Sequence, residues 1–210
     1  KEWEKLIEKS FPSAKKFMRY AIRKDTAFDK AHLESLVALL PSGYTIKEID
    51  SGLYDQCFFN PVTVDFVSTF SCKDDYLEKG RGVVILKDGK IVAGASSYTR
   101  YKEGIEIEVD TDPAECKKNL ATVACAKLIL NCLKENLYPS WDAHNLISVH
   151  LAEKLGYIYI DTGAMYRAVA LFLTQKNKRL DRIQAYKILN KATYVVFDLE
   201  TTGLSARYEK

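Results

Sequence analysis

The spacing of apolar side chains predicts helices over much of the first forty residues. Apolar residues recur there at intervals of three or four, which is typical of a helix with one buried face. They are Trp3, Leu6, Ile7, Leu33, Leu36, Val37 and Leu40. A Pro-Ser-Gly sequence at residues 41–43 predicts the end of the last helix, and residues 44–49 are expected to be extended. Residues 53–70 predict another helix, interrupted near Asn60-Pro61 because proline restricts the residue before it.

An alternating pattern in the middle of the chain predicts a β-sheet. Residues 82–86 are an apolar run, an Asp-Gly turn over residues 87–90 predicts a reversal, and residues 91–98 should return antiparallel. Strict alternation predicts a third strand over residues 104–110. Its apolar face would hold Ile105, Ile107 and Val109, and its acidic face Glu106, Glu108 and Asp110.

A long helix is predicted after the third strand. Residues 120–133 are almost all small or apolar, which favours close packing on the sheet. A strand over residues 138–142 and a helix over about 146–155 follow, and Gly156 stands at the usual position of a C-terminal cap. This order of elements predicts an α/β fold, in which a mixed sheet carries helices on its faces.

Composition and charge narrow the function classes. The 210 residues are 47% hydrophobic and 28% charged, and 31 basic against 28 acidic side chains leave a net charge of only +3. A nucleic-acid partner is not expected, because such proteins usually carry a stronger basic excess. No apolar run reaches the ~20 residues that cross a bilayer, and the first ten residues lack the apolar centre of a signal peptide, so no membrane association is expected.

The five cysteines predict reduced thiols in a cytoplasmic protein. Their number is odd and no two have CxxC spacing, which argues against a disulfide framework and against a zinc site. Cys125 and Cys132 stand seven residues apart in the apolar helical pattern, so they are expected to pack in the core. His144 has no ligand cluster at metal-binding spacing, and no metal site is expected.

The turn before the long helix is the candidate for binding chemistry. Residues 112–121 lead directly from strand to helix and include Lys117 and Lys118. A helix N-terminus exposes unpaired N–H groups and a partial positive charge, and both suit a phosphate. The alternative is a plain loop with two solvated lysines, and spacing alone does not decide between the two.

Several segments, in order, resemble the GNAT acetyltransferases and in particular a bacterial GNAT-like subfamily. They are AKKFMRYAI at residues 14–22, DFVSTF at 65–70, GASSY at 94–98, GIEIEVDT at 104–111, NLAT at 119–122, LYPSWDAHN at 137–145 and SVHLAEKLGY at 148–157. The resemblance covers about residues 11–157. It implies a splayed sheet, preceded by a small helical region, with acetyl-CoA as co-substrate wedged between the IEIEVD and PSWDA strands.

The resemblance also implies a set of cofactor-binding residues. They are Thr111, Cys116, Lys117, Lys118, Asn119, Leu120, Ala121, Thr122, Asn145 and Ser148. In the family loop R/Q-x-x-G-x-G/A, Cys116 stands at the Arg/Gln position, Asn119 at the first Gly and Ala121 at the last position. Asn tolerates the left-handed backbone better than most residues, and backbone donors survive substitution. Asn145 has an alternative role as the cap of the helix that follows it.

The reaction that the resemblance implies is acyl transfer to a small-molecule or peptide amine. Glu106 or Glu108 is the expected base, directly or through water, and the alternative is that both are ordinary solvent-facing strand residues. Backbone N–H groups near Thr111 would stabilise the oxyanion. Asp142 and His144 are expected to contact the acceptor. Family members often carry a tyrosine as general acid near the end of the last helix, but this chain has Ala152 there, which leaves the acid unassigned.

The C-terminal residues resemble other families. Residues 154–171 are similar to cytidylate kinase, in which the Asp161 and Arg167 positions contact nucleotide, but the chain has no GxxxxGK[ST] loop, so kinase activity is not expected. Residues 192–208 are similar to the start of a proofreading exonuclease. Asp198 and Glu200 match its first metal-binding pair, but two-metal chemistry needs further acidic residues far downstream, so exonuclease activity is not expected. The sequence therefore predicts a hybrid chain.

Three regions are predicted: a helical N-terminal region (1–43), an acyl-CoA-binding core (44–157) and an atypical extension (158–210). The extension can complete the sheet, beginning with a sixth strand at 158–160. The leading hypothesis is an acyl-CoA-dependent N-acyltransferase. The alternatives are a catalytically weak or inactive acyl-CoA-binding module, or a scaffold that keeps only the shape. The sequence does not indicate an oligomeric state.

Overall fold

The computed structural model describes residues 7, 9–13, 19–24 and 26–160. The chain divides into two compact units, one made of Lys1–Ala21 with Ile160–Lys210 and the other of Ile22–Tyr159. In the first unit the Phe11 N–H donates to the Ile7 carbonyl at 2.7 Å, and the Ile160 N–H donates to the Ala21 carbonyl at 2.8 Å. The predictions for Trp3, for Leu6 and for every residue after 160 lie outside the described residues.

The unit Ile22–Tyr159 contains a five-stranded sheet in sequential order. The strands are β1 (Tyr44–Glu48), β2 (Gly82–Lys87), β3 (Lys90–Tyr101), β4 (Gly104–Thr111) and β5 (Tyr138–Ser140). Neighbouring strands are antiparallel except β4 and β5, which are parallel. The predicted hairpin, the alternating third strand and the mixed sheet are confirmed.

Helices precede, connect and follow the strands. The described α-helices of this unit are α1 (Lys30–Val37), α2 (Ser51–Phe58), α3 (Lys73–Lys79), α4 (Leu120–Lys134) and α5 (Leu146–Lys154). The prediction of a helix over residues 53–70 is wrong beyond Phe58, where Asn60 Oδ1 accepts from the Val62 N–H at 2.9 Å and holds a turn. The chain resumes only as a short 3₁₀ helix, Val64–Phe66.

Two further elements of the unit differ from expectation. Helix α3 was not predicted, because only Tyr76 of its seven residues is buried and no apolar periodicity marks it. The sixth strand predicted at residues 158–160 is present, among the described residues, only as an isolated antiparallel bridge between Ile22 and Tyr159.

The sheet has helices on both faces. Val84 and Leu86 of β2 belong to a buried cluster with residues of α2, α3 and the 3₁₀ helix. Side chains alternate along a strand, so Val83 and Ile85, both fully buried, face the other layer. That layer is α4, which packs along β2, β3 and β4 and buries nine of its 15 residues. The small side chains of α4 allow this close approach.

The sheet opens between β4 and β5. The parallel pairing begins at Gly104, opposite Tyr138, and ends at Glu106, opposite Ser140. Strand β4 continues to Thr111, so its second half has left β5. At the closed end, a side chain on Gly104 would collide with the Tyr138 carbonyl, which is why glycine is needed where the strands meet. The opening is the splay expected of this sheet, and it leads directly to the β4–α4 loop.

Candidate functional site

The loop between β4 and α4 has an unusual backbone. Lys117 and Asn119 have positive φ values of 63° and 61°, whereas Lys118 between them does not. Few residues other than glycine adopt this left-handed region, and asparagine is among the commonest that do. Alternation of the two conformations turns successive N–H groups toward one point and makes a concavity that suits an anion.

The N-terminus of α4 is not capped by a side chain. The first intrahelical bond runs from the Val123 N–H to the Asn119 carbonyl at 3.0 Å, so the three preceding amides have no acceptor within the helix. In contrast, Asp29, Asp50 and Asn145 cap the other described helices of eight or more residues. The longest described helix therefore presents free donors and the positive end of its dipole at the open edge of the sheet.

Four side chains from three parts of the chain anchor this loop. Glu115 forms ion pairs with Lys118 at 2.5 Å and with Lys87 at 2.8 Å, and the Tyr44 hydroxyl donates to it. Hydrogen bonds from Lys118, Lys87 and Tyr44 lower the pKa of Glu115 to about 2. The expected phosphate contact Lys118 is thus already paired with Glu115, whereas the structure gives Lys117 no ion-pair partner among the described residues.

The sequence did not reveal the partners of this ion cluster. The spacing of Glu115 and Lys118 by three residues was a local signal that could have been used. Tyr44 and Lys87 face each other across β1 and β2, and only the strand register brings them to Glu115.

Asn119 has a second role through its side chain. Its Oδ1 does not cap α4 but accepts a hydrogen bond from Lys154 Nζ at 2.9 Å. Lys154 is the last residue of α5. The two helices that follow β4 and β5 are therefore joined at the loop.

Strand β4, which borders the opening, carries an acidic face. Glu108 is partly buried, and burial, with Asp110 and Asp65 nearby, raises its pKa to about 7. Burial and Asp65 also raise the pKa of Asp110. Glu106 lies opposite Ser140, at the last paired position before the strands part. The structure thus brings the expected bases together and adds Asp65, which the sequence did not identify because it lies in the short 3₁₀ helix.

Thr111 ends β4 with an unsatisfied hydroxyl. Among the described residues, its Oγ1 is buried without a hydrogen-bond partner. Buried polar atoms in folded proteins are nearly always paired. An orphaned hydroxyl beside the candidate loop is consistent with a bound group that supplies the missing partner.

Asn145 and Ser148, two of the site residues predicted after β5, have structural roles. Asn145 Oδ1 accepts from the Ser148 N–H at 2.8 Å, so its alternative role as a helix cap is confirmed. Ser148 Oγ accepts from Trp141 Nε1 at 3.0 Å. Asp142 and His144 are exposed at the start of this connection.

The position at which the resemblance leaves the general acid unassigned lies in the core. Ala152 is fully buried. The neighbouring Tyr157 is also buried, and its hydroxyl donates to the Pro139 carbonyl at 2.6 Å. This bond ties the end of α5 to β5, and burial raises the pKa of Tyr157 well above its usual value.

The cysteines fall into two groups, and all five are free thiols. Cys57, Cys125 and Cys132 are buried, and burial raises the pKa of each, to about 11 for Cys57 and about 12 for Cys132. The packing role expected for Cys125 and Cys132 is confirmed. Cys72 and Cys116 are exposed, and Cys116 lies in the β4–α4 loop.

Elsewhere in the described part of the chain, candidate binding sites are less well formed than the β4–α4 loop. A polar cleft of about 390 Å³ lies at the opposite end of α4, but its Arg81 is already bound to Glu135 through two nitrogens. Within the described residues, no group of three or more His, Cys, Asp or Glu side chains could hold a metal ion. None of the helices in those residues is both long and apolar enough to cross a membrane.

Comparison with known proteins gives two matches along the chain. A family model described as GNAT acetyltransferase matches residues 1–166, and one described as cytidylate kinase matches residues 139–208. A crystal structure of a GCN5-related N-acetyltransferase-like protein from Streptococcus suis is 46% identical, with a TM-score of 0.73, and the match covers 76% of this chain and 64% of that protein.

The C-terminal match to cytidylate kinases covers only a short part of this chain and of each kinase. A cytidylate kinase from Geobacillus is 40% identical over 57 residues, which are 27% of this chain and 25% of the kinase. Another from Caldicellulosiruptor bescii is 49% identical over 53 residues, which are 25% of this chain and 24% of the kinase. The chain thus spans just under two thirds of the Streptococcus protein and about a quarter of these kinases.

Proposed function

The chain belongs to the GNAT acetyltransferase family, and from that premise we propose that it transfers an acetyl group from acetyl-CoA to an amine. The observation that carries the proposal is the uncapped N-terminus of α4, preceded by two left-handed residues, at the point where β4 and β5 part. We assign the acyl-CoA-binding core to residues 44–157, flanked by an N-terminal region (1–43) and an extension (158–210).

The residues at this corner fit the diphosphate of acetyl-CoA. The backbone N–H groups of residues 116–122 are the donors, and the left-handed conformation of Asn119 replaces the glycine of the family loop. Lys117 adds a positive charge, while the ion pair of Lys118 with Glu115 fixes the shape of the loop. The Thr111 hydroxyl, unpaired among the described residues, is a further donor at the end of β4.

The connection after β5 supplies a second contact. The carbonyl oxygen of the Asn145 side chain caps α5, which orients its amide nitrogen as a donor toward the cofactor arm. Ser148 supports this connection by holding Trp141.

Glu108 is the proposed base. Acetyl-CoA supplies the acetyl group as a thioester, and the acceptor must lose a proton from its ammonium before nitrogen can form the new C–N bond. A carboxylate with a pKa of about 7 is half ionised at neutral pH and well matched to take that proton. Amides of β4 near Thr111, beyond the part of the strand that pairs with β5, donate to the carbonyl oxygen as negative charge develops on it. The C–S bond then breaks, CoA leaves as the thiolate, and the nitrogen loses its remaining extra proton to the thiolate or to water.

The acceptor is proposed to be a small-molecule or peptide amine that arrives as a cation. Glu106, Glu108, Asp110 and Asp65 give the opening a negative face, which attracts an ammonium group. Asp142 and His144, which are exposed after β5, are proposed as acceptor contacts. The free thiols support a reducing, cytoplasmic setting.

A second candidate function is an acyl-CoA-binding module with little or no catalysis. The observation that favours it is Ala152, which is fully buried and offers no proton to the departing thiolate. Binding of acetyl-CoA does not depend on this acid, so loss of catalysis would leave the cofactor site intact.

Two measurements separate these functions. Titration calorimetry with acetyl-CoA tests the cofactor site, and release of free CoA thiol in the presence of a panel of amines tests transfer. Binding with thiol release supports the transferase, whereas binding without release for every amine supports the module. Absence of acetyl-CoA binding contradicts both and leaves only a scaffold role.

A further inference from the structure

Asn119 adopts a backbone conformation that is unfavourable for most side chains. Its φ of 61° and ψ of 12° lie in the left-handed region, and it directly precedes α4. The Asn119 side chain makes no bond to the N-terminus of the helix that it precedes. Its hydrogen bond to Lys154 at 2.9 Å is therefore a contact that can hold this conformation from outside the loop.

Lys154 is itself held in place. It ends α5, and its carbonyl accepts a hydrogen bond from His32 Nε2 of α1 at 2.9 Å. The next residues continue the anchor, because the Leu155 N–H donates to the Leu151 and Ala152 carbonyls and Leu155 is buried. The Lys154 backbone is thus fixed by two helices, and its ammonium reaches a third.

The position of this ammonium is unfavourable without an anion. A cation near a helix N-terminus opposes the helix dipole. Lys117 and Lys118 lie in the same loop, and Glu115 is the carboxylate that pairs with Lys118 there. The hydrogen bond to the Asn119 amide oxygen offsets part of this unfavourable interaction of the Lys154 ammonium. This explains why the lysine is directed at the Asn119 side chain.

We propose that Lys154 is a positioning residue for acyl-CoA, because it holds Asn119 in the left-handed conformation that aims the loop amides at the diphosphate. The proposal rests on the function proposed above. Glycine adopts this conformation without help. Lys154 is therefore required only while residue 119 carries a side chain.

The test is a cycle of four proteins: the parent, Lys154→Met, Asn119→Gly and the double variant. Calorimetry measures the Kd of acetyl-CoA for each. Lys154→Met should raise the Kd about fivefold in the parent, the effect of one exposed hydrogen bond, but less than about twofold in the Asn119→Gly background. Lys154→Arg should keep the parent Kd because it keeps a donor. Lys102→Met is the control for charge, since Lys102 is exposed in the β3–β4 turn.

If Lys154→Met raised the Kd by the same factor in the parent and in the Asn119→Gly background, Lys154 would act only as a charge. This result would overturn the proposal. An unchanged Kd in Lys154→Met would overturn it as well. The thermal midpoints of the four proteins need no ligand. Lys154→Met should lower the midpoint by about 2 °C in the parent and leave it nearly unchanged in the Asn119→Gly background.

The two readouts distinguish the possible failures. If the parent does not bind acetyl-CoA but the midpoints are coupled, the proposed function fails and the support of Asn119 by Lys154 stands. If the parent binds acetyl-CoA but neither readout is coupled, the proposed function stands and Lys154 has no positioning role.

Discussion

Glu108 should cost the folded protein stability at the pH at which it serves as base. Burial and three neighbouring carboxylates raise its pKa from the ordinary 4.5 to about 7. Between these values the folded state holds a proton that the unfolded state has lost, so the free energy of unfolding falls as pH rises through this window. Glu108→Gln keeps the shape of the side chain without the charge, and it should therefore be more stable than the parent above pH 7.

The size of the effect follows from the two pKa values. Their difference, at about 1.4 kcal/mol per pH unit, sets an upper limit of about 3 kcal/mol. Glu108 is only partly buried, and solvent screening reduces this to about 1–2 kcal/mol. For a protein of this length, that corresponds to a midpoint higher by about 2–8 °C.

Thermal unfolding of the parent and of Glu108→Gln should be followed from pH 4 to pH 8. The two midpoints should agree below pH 4.5, where the parent carboxyl is protonated in both states, and separate as pH rises toward 8. Glu103→Gln, in the exposed β3–β4 turn, is the matched control and should show no such divergence. In the transferase assay, Glu108→Gln should lower kcat/KM by about 10²–10⁴ and abolish the rise of rate near pH 7.

Two outcomes would refute this reasoning. A Glu108→Gln protein that is less stable than the parent at pH 8 would mean that the carboxylate makes favourable contacts that outweigh its burial. A parallel offset at every pH would mean that the change is one of packing and that the carboxyl titrates at its ordinary value.

Three further variants test the site and its supports. Ala121→Glu places a carboxylate at the N-terminus of α4 and should weaken acetyl-CoA binding at least about tenfold. The thermal midpoint should not fall, since the negative charge suits the helix dipole. An unchanged affinity by calorimetry would count against the loop assignment. Tyr157→Phe leaves the Pro139 carbonyl without its donor and should lower the free energy of unfolding in urea by about 1–3 kcal/mol; no loss would mean that water replaces the hydroxyl. Glu115→Gln removes a carboxyl group whose pKa is about 2 in the folded state, so the parent should lose more stability than the variant between pH 4.5 and pH 2. Equal slopes of thermal midpoint against pH for the two proteins would contradict the role given to the ion pairs of Glu115.

Local patterns were enough to predict the centre of the fold. The alternation along β4 and the Asp-Gly turn after β2 fix strands because side-chain direction has a period of two. The small, apolar sequence of α4 predicted a helix packed on the sheet. The position of Asn119 at a helix start also follows from residue type, because asparagine accepts the left-handed backbone.

The parts that could not be predicted depend on contacts between distant residues. Asp65 raises the pKa of Glu108 although 43 positions separate them in the chain, and no periodicity links a 3₁₀ helix to a strand. The approach of Tyr44 and Lys87 to Glu115 needs the register of β1 and β2. Helix α3 buries only Tyr76, so its position depends on packing against α2 rather than on its own pattern.

The division of the cysteines into three buried and two exposed thiols offers a way to follow ligand binding with a thiol-specific dye. Thiol-specific dyes react with the thiolate, so the three buried thiols, whose pKa values are raised, should stay unlabelled in the folded protein. After Cys72→Ser, Cys116 would be the remaining exposed thiol among the described cysteines. A fluorophore attached there would sit in the β4–α4 loop, and its emission would follow arrival and departure of acetyl-CoA in real time.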